Sequence, residues 1–185
     1  MLDKFVNICI ISRMKSTKNN VSVESVSGFR LPRFNEIPDV GLYLEQTTKY
    51  INTYLEPIGF EITSSMIRNY VKMGLVKNPE QKQYFVDHIG HLIAITVLKN
   101  VISLENISVL FVNQQKVYSD PVAYDYFCME LENMLSFQFG LKDSVDKIGN
   151  SSSVEKKMLR SAIIAVSHII YLESCFSNAI SEDET

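Results

Sequence analysis

The chain has 185 residues, 46% of them hydrophobic and 21% charged, a balance that excludes a disordered protein and leaves room for a sizeable core. A net charge of −3 and a pI of about 5.6 exclude a strongly basic nucleic-acid binder, so any such contact has to come from a local positive patch. Three widely spaced cysteines, Cys9, Cys128 and Cys175, with no C-x-x-C pair, exclude a disulfide framework or a zinc ribbon.

Residues 1–28 differ from the rest. Phe5 to Ile11 is apolar but lacks a small-residue cleavage site, so it does not read as a signal peptide. Lys15 to Ser27 is rich in Ser, Lys, Asn and Val without a helical period. The expectation is a flexible arm, with a basic arm built on Arg13, Lys15 and Lys18 as the alternative. No apolar run reaches the roughly 18 residues of a membrane span. No membrane contact is therefore expected, and the idle thiols fit a reducing cytoplasm.

Leu31 to Pro38 reads as extended, because each residue before a proline avoids the α region. Asp39 is placed to cap a helix running to about Glu56, which Pro57 and Gly59 stop. Its apolar positions are Val40, Tyr43, Leu44, Tyr50, Ile51, Tyr54 and Leu55, with Thr47 bridging the stripe. The three tyrosines read as core groups rather than a base-stacking platform.

The next stretch organises the chain. Thr63 can cap a short helix and Gly74 can end it in the left-handed conformation, with Leu75 folding back on Tyr70. Met66, Ile67, Tyr70, Val71 and Met73 fall on one side. Ser65, Arg68, Asn69 and Lys72 fall on the other, at i, i+3, i+4 and i+7. That polar set holds the groups that hydrogen-bond base edges and phosphates in a major groove. The bland alternative is an ordinary solvated face. Lys77-Asn78-Pro79-Glu80 is turn chemistry, and from Ser64 to Tyr84 four cations (Arg68, Lys72, Lys77, Lys82) stand against Glu80. The pattern is a helix-turn-helix with a reduced wing.

The residues Ser65 to Val76, followed by Lys82-Gln83-Tyr84, resemble the recognition helix and wing of MerR-like bacterial regulators. A closer resemblance is to a Gram-positive family of unknown function. Its members carry a Leu-Tyr-x-x-Gln helix, here Leu42 to Gln46, then a Met-Ile-x-Asn-Tyr-Val-Lys helix, here Met66 to Lys72, then Lys-x-Tyr. The similarity runs from about Phe29 to Ser108. Phe85 stands where that family has a Ser or Thr helix cap, which leaves Asp87 to serve. Gln83 stands where relatives are often basic. The resemblance implies a MerR-like winged helix-turn-helix with a reduced wing, and the fold expected for the whole chain is mainly α, with a C-terminal pair of long helices after that unit.

Val86 to about Val101 is a helix apolar nearly all round and so belongs at the centre. Ser103 can cap the next, Leu104 to about Gln114. Asp120-Pro121 starts another that ends near Gly140. A polar connection, Lys142 to Ser153, leads to a last helix from about Val154 to Ile180 and an acidic tail. That helix has more apolar surface than one face can bury. Met158, Ile163, Ile170 and Phe176 are expected to form a stripe shared by two copies about a two-fold axis. The expected organisation is an arm (1–28), a helix-turn-helix domain (29–118) and a C-terminal dimerisation region (119–185).

Enzymatic chemistry finds little support. His88 and His91 stand at i and i+3 with Asp87 adjacent, but no third metal ligand has a telling spacing. His168 is alone on an apolar helix. Glu130 and Glu132 face different sides of theirs. There is no glycine-rich phosphate loop and no nucleophile elbow. The expectation is no enzyme, no metal and no cofactor. The function expected is a dimeric, sequence-specific transcriptional regulator with double-stranded DNA as partner. Arg68 and Asn69 would read bases, and Ser65, Lys72, Lys77, Lys82 and Tyr84 would hold phosphates, with Gln83 beside them. The alternative is a helical module that keeps the fold and binds a protein through the same face.

Overall fold

A computed structural model of the chain describes residues 21–149 and 153–182. It is 65% helical and 3% strand, so the mainly α class holds. In chain order the elements are α1 (Val23–Ser27), β1 (Leu42–Tyr43), α2 (Leu44–Leu55), α3 (Ser64–Lys72), β2 (Gln83–Tyr84), α4 (Val86–Leu98), α5 (Leu104–Gln115), α6 (Asp120–Gln138) and α7 (Val154–Glu182). Short 3₁₀ turns cover Phe34–Glu36 and Glu56–Ile58.

Helix α4 is the centre, as its all-round apolar surface requires. Every residue from Leu92 to Leu98 is buried. It touches α2, α5, α6 and α7, and one buried cluster runs from Val21 through Leu92 to Ile170. The residues of 29–118 and of 119–185 thus share a core. The N-terminal segment joins it as well. Val23–Ser27 is helical, capped by Ser22, whose hydroxyl accepts from Ser25 N–H at 3.2 Å. Val21, Val26 and Phe29 are buried, and Ser174 Oγ donates to Val21 O at 2.6 Å. The part of the expected arm that is described, 21–28, is therefore packed, because its apolar residues find a surface formed by distant helices. Residues 1–20 of that arm lie outside the described residues.

Arg33 clasps the segment before β1 to α6. Its guanidinium meets Glu132 through two hydrogen bonds, at 2.7 and 2.6 Å, and Leu31 N–H donates to the same carboxylate at 2.9 Å. Glu130, buried, pairs with Arg160 at 2.7 Å. The two glutamates do face different partners.

Two expectations about helices need correction. The helix expected from Asp39 begins at Leu44, and its N-cap position is Tyr43. Val40 and Tyr43, expected in the core, are exposed, because they precede the helix. Helix α7 keeps its expected start, but Ile163 and Ile170 are buried in their own chain while Met158 and Phe176 are exposed. The expected two-fold stripe is therefore split between an inner and an outer face. By length and composition alone, Val154–Ala179 is also apolar enough to cross a membrane, with a mean hydropathy of 1.3 over its best window.

Candidate nucleic-acid interface

Helix α3 is fixed at both ends by local chemistry. Thr63 Oγ1 accepts from Met66 N–H at 3.2 Å. At the other end Gly74 has φ +75°, Leu75 N–H donates to Tyr70 O and Gly74 N–H to Val71 O, both at 3.0 Å. That pair of bonds is the Schellman motif, which satisfies carbonyls the helix leaves free. Ile67 and Tyr70 are buried, while Ser65, Arg68, Asn69 and Lys72 are all exposed. Met73, expected with the buried set, is exposed. It is the C-cap residue, still near helical at φ −78°, with Asn69 Nδ2 3.4 Å from its sulfur.

The turn before α3 is held by Asn52, whose carboxamide accepts from Ile62 N–H at 2.8 Å and donates to Ile62 O at 3.0 Å. Thr48 Oγ1 lies 3.1 Å from Ser64 Oγ, and Ser64 Oγ donates to Glu45 at 2.8 Å. These contacts set α2 against the first turn of α3.

After α3 the chain makes a tight hairpin. Glu80 and Gln83 exchange backbone bonds at 3.1 and 2.8 Å, and the two residues between, Gln81 and Lys82, have φ of 51° and 68°. Two left-handed residues in a two-residue loop match the twist of a hairpin, although Asn and Gly adopt that conformation more readily. Beyond the loop, Gln83–Tyr84 pairs antiparallel with Leu42–Tyr43. Gly41 permits this approach: a Cβ there would lie 2.7 Å from Gln83 Cβ. Tyr43 N–H donates to Gln46 Oε1 at 2.9 Å, half of a capping box at the start of α2. The Leu-Tyr-x-x-Gln spacing has that physical reason.

His88 ties the hairpin to α4. Its Nδ1 accepts from Phe85 N–H at 3.0 Å, so Nε2 carries the proton toward Asn78 O, 3.3 Å away. The cap expected from Asp87 is thus supplied by His88. Asp87 is already past the cap position and offers only its backbone carbonyl, to His91 Nδ1 at 2.8 Å. Among the described residues no three His, Cys, Asp or Glu side chains gather to hold a metal.

Arg68, Lys82 and the edge of Tyr84 line one open concavity of about 450 Å³, together with Tyr43, Leu44, Glu45 and Pro79. Arg68, Lys72, Lys77 and Lys82 make no ion pair among the described residues. Two expected contacts fare differently. Tyr84 is 4% exposed and packs edge-on against His88. Burial raises its phenol above the ordinary value, with Arg68 pulling the other way. Its ring belongs to the core, because β2 turns it inward, and the residue still lines the concavity. Gln83 is half-buried and donates to Gly41 O at 3.3 Å, so its carboxamide serves the strand pair. Tyr43, 56% exposed, and Glu45 are the lining residues that sequence reasoning missed. Gly41 just before Leu42-Tyr43 was the available sign that the helix had not yet begun.

No curated protein and no solved structure matches the chain. Residues 32–127 match the family described as a domain of unknown function, DUF1836. That span takes in both strands, the helices from α2 to α5 and the first part of α6, and so carries the whole concavity. Since it covers more than half of the sequence, the chain belongs to the DUF1836 family.

Proposed function

We propose that the chain is a sequence-specific regulator that binds double-stranded DNA as a homodimer through a MerR-like helix-turn-helix. The observation that carries this reading is the outward face of α3. Ser65, Arg68, Asn69 and Lys72 are all exposed on a helix capped at both ends, beside Lys82 on a hairpin the length of a small wing. Arg68 and Asn69 have the donors and acceptors that read base edges. Ser65, Lys72, Lys77 and Lys82 surround them as phosphate contacts, while Gln83 and Tyr84 support the hairpin from within. The strand pair, which joins the start of α2 to the hairpin, suits a winged helix-turn-helix. The second copy would meet the outer face of α7, where Met158, Leu172 and Phe176 are exposed. A dimer of this kind would place two α3 helices about 34 Å apart, one turn of DNA. A second reading, a protein-binding module, draws on Glu45 and the exposed Tyr43 in the concavity, which suit a peptide better than a phosphate backbone.

Binding to duplex DNA across a salt series tests the first reading. Affinity should fall steeply, because each phosphate contact releases counterions. Lys77→Ala and Lys82→Ala should each flatten the slope by about one. Arg68→Ala and Asn69→Ala should leave stability within about 0.5 kcal/mol and reduce discrimination between sites by about 1–3 kcal/mol. Binding that is absent or indifferent to salt would sink the DNA reading and favour the protein module. Sedimentation of the intact chain at micromolar concentration tests the dimer, and a single monomeric species would refute it.

A further inference from the structure

A second concavity lies away from α3, between the end of α5, the first half of α6 and the start of α7. Its volume is about 280 Å³, close to the lower end of small-molecule sites and equal to about nine waters in the liquid. Val122, Ala123, Met129 and Leu159 give it apolar walls, with Tyr126 and Ile148 among the other lining groups. Lys156 is set at its edge. Its ammonium donates to Ile148 O at 2.6 Å and sits 4.7 Å from the centre of the Tyr126 ring. Among the described residues no carboxylate pairs with it and only one of its three N–H donors has a hydrogen-bond partner. Burial, and then the nearby Glu130 carboxylate, raise the Tyr126 phenol above its ordinary value.

We infer that this cavity binds a small apolar carboxylic acid, one ring or a branched chain in size, with its carboxylate on Lys156 and its hydrocarbon against Val122, Met129 and Leu159. The ammonium is oriented in advance by the Ile148 carbonyl and by the face of Tyr126, a cation–π contact, so little rotamer freedom is lost when the acid binds. Apolar walls strengthen the charge pair by excluding water. Glu155 also lines the cavity and opposes an anion, which gives the proposal a second electrostatic signature. The inference does not depend on DNA binding.

The test uses the intact chain and methyl-detected NMR titration with phenylacetate, hydrocinnamate and isovalerate, each beside its neutral amide, and with phenethylamine. At least one acid should give saturable shifts at Met129 and Val122, and its amide should bind at least tenfold more weakly. Lys156→Met should weaken the acid at least tenfold and leave the amide unchanged, while Glu155→Gln should tighten the acid. Val122→Trp, at an exposed position on the wall, should block both ligands and keeps the test independent of any effect of Lys156→Met on folding. The proposal is overturned if no acid of the panel shifts these methyls at millimolar concentration. It is likewise overturned if acid and amide bind alike, or if phenethylamine binds in their place and loses affinity in Glu155→Gln.

Discussion

Gly74 carries the end of α3 in a single backbone angle. At φ +75° a β-branched side chain meets its own backbone, although nothing else lies within 4 Å of the Cβ position. Gly74→Val should therefore cost on the order of 1–3 kcal/mol in urea unfolding, and Gly74→Asn distinctly less, since Asn tolerates that region. Glu36 offers a titration. The Arg30 guanidinium at 2.7 Å and the Arg33 N–H, also at 2.7 Å, lower its carboxyl from 4.5 to about 2. A depressed folded value means that the contribution to stability is complete above about pH 4.5 and is lost as the pH falls through about 2. Carbon-detected titration of Glu36 should show the low midpoint, and Arg30→Gln should raise it. Thr63 and Gly74 were legible in the sequence because caps act over three or four residues. The His88 cap was not, since a histidine accepting from a backbone N–H depends on a tautomer that Asn78, ten residues away, helps to fix.

At the scale of elements, the hairpin sets stability against the proposed function. Lys82 is left-handed at φ 68°, a conformation that costs a non-glycine residue roughly 1–2 kcal/mol. Glycine removes that cost but adds chain entropy of about 0.5–1 kcal/mol. Lys82→Gly should thus raise the unfolding midpoint slightly, while Lys82→Ala, still left-handed and without the cation, should not. Both should weaken DNA alike if Lys82 is a phosphate contact. Helices α3 and α5 could be read in advance because Thr63 and Ser103 cap their starts, and α4 because its apolar run is nearly unbroken. The strand pair could not. Two residues have no period, and Leu42-Tyr43 pairs with Gln83-Tyr84 across two intervening helices. The same pairing explains why Tyr84 turned inward and Tyr43 outward, the reverse of what each sequence neighbourhood suggested.

For the whole molecule, the decisive feature is the shared core. Val86–Leu98 lies against both the earlier helices and the C-terminal pair, so a division at residue 118 cuts through packing. Truncation after Tyr118 should leave a chain with no cooperative thermal transition and poor dispersion in its amide spectrum. It would expose the α4 surface that α6 and α7 cover. A folded fragment would show instead that residues 29–118 stand alone. The length and composition of the chain pointed to a core of this size. They could not say that the segment from Val21 would join it, because that segment has too few residues for a period and its burial is decided by α6 and α7.

The bond from Ser174 to Val21 spans 153 residues. At roughly 5–20 residues per second, a ribosome needs about 8–30 s to travel that distance. For that interval Val21 has no helix α7 to bond to, and α4, once made, keeps its α7-facing surface open until Val154 and the residues after it follow. The finished core can close only after nearly all of its sequence has been made. Folding of the nascent chain should therefore be late and all at once, with holding chaperones as the natural guardians of the unfinished molecule.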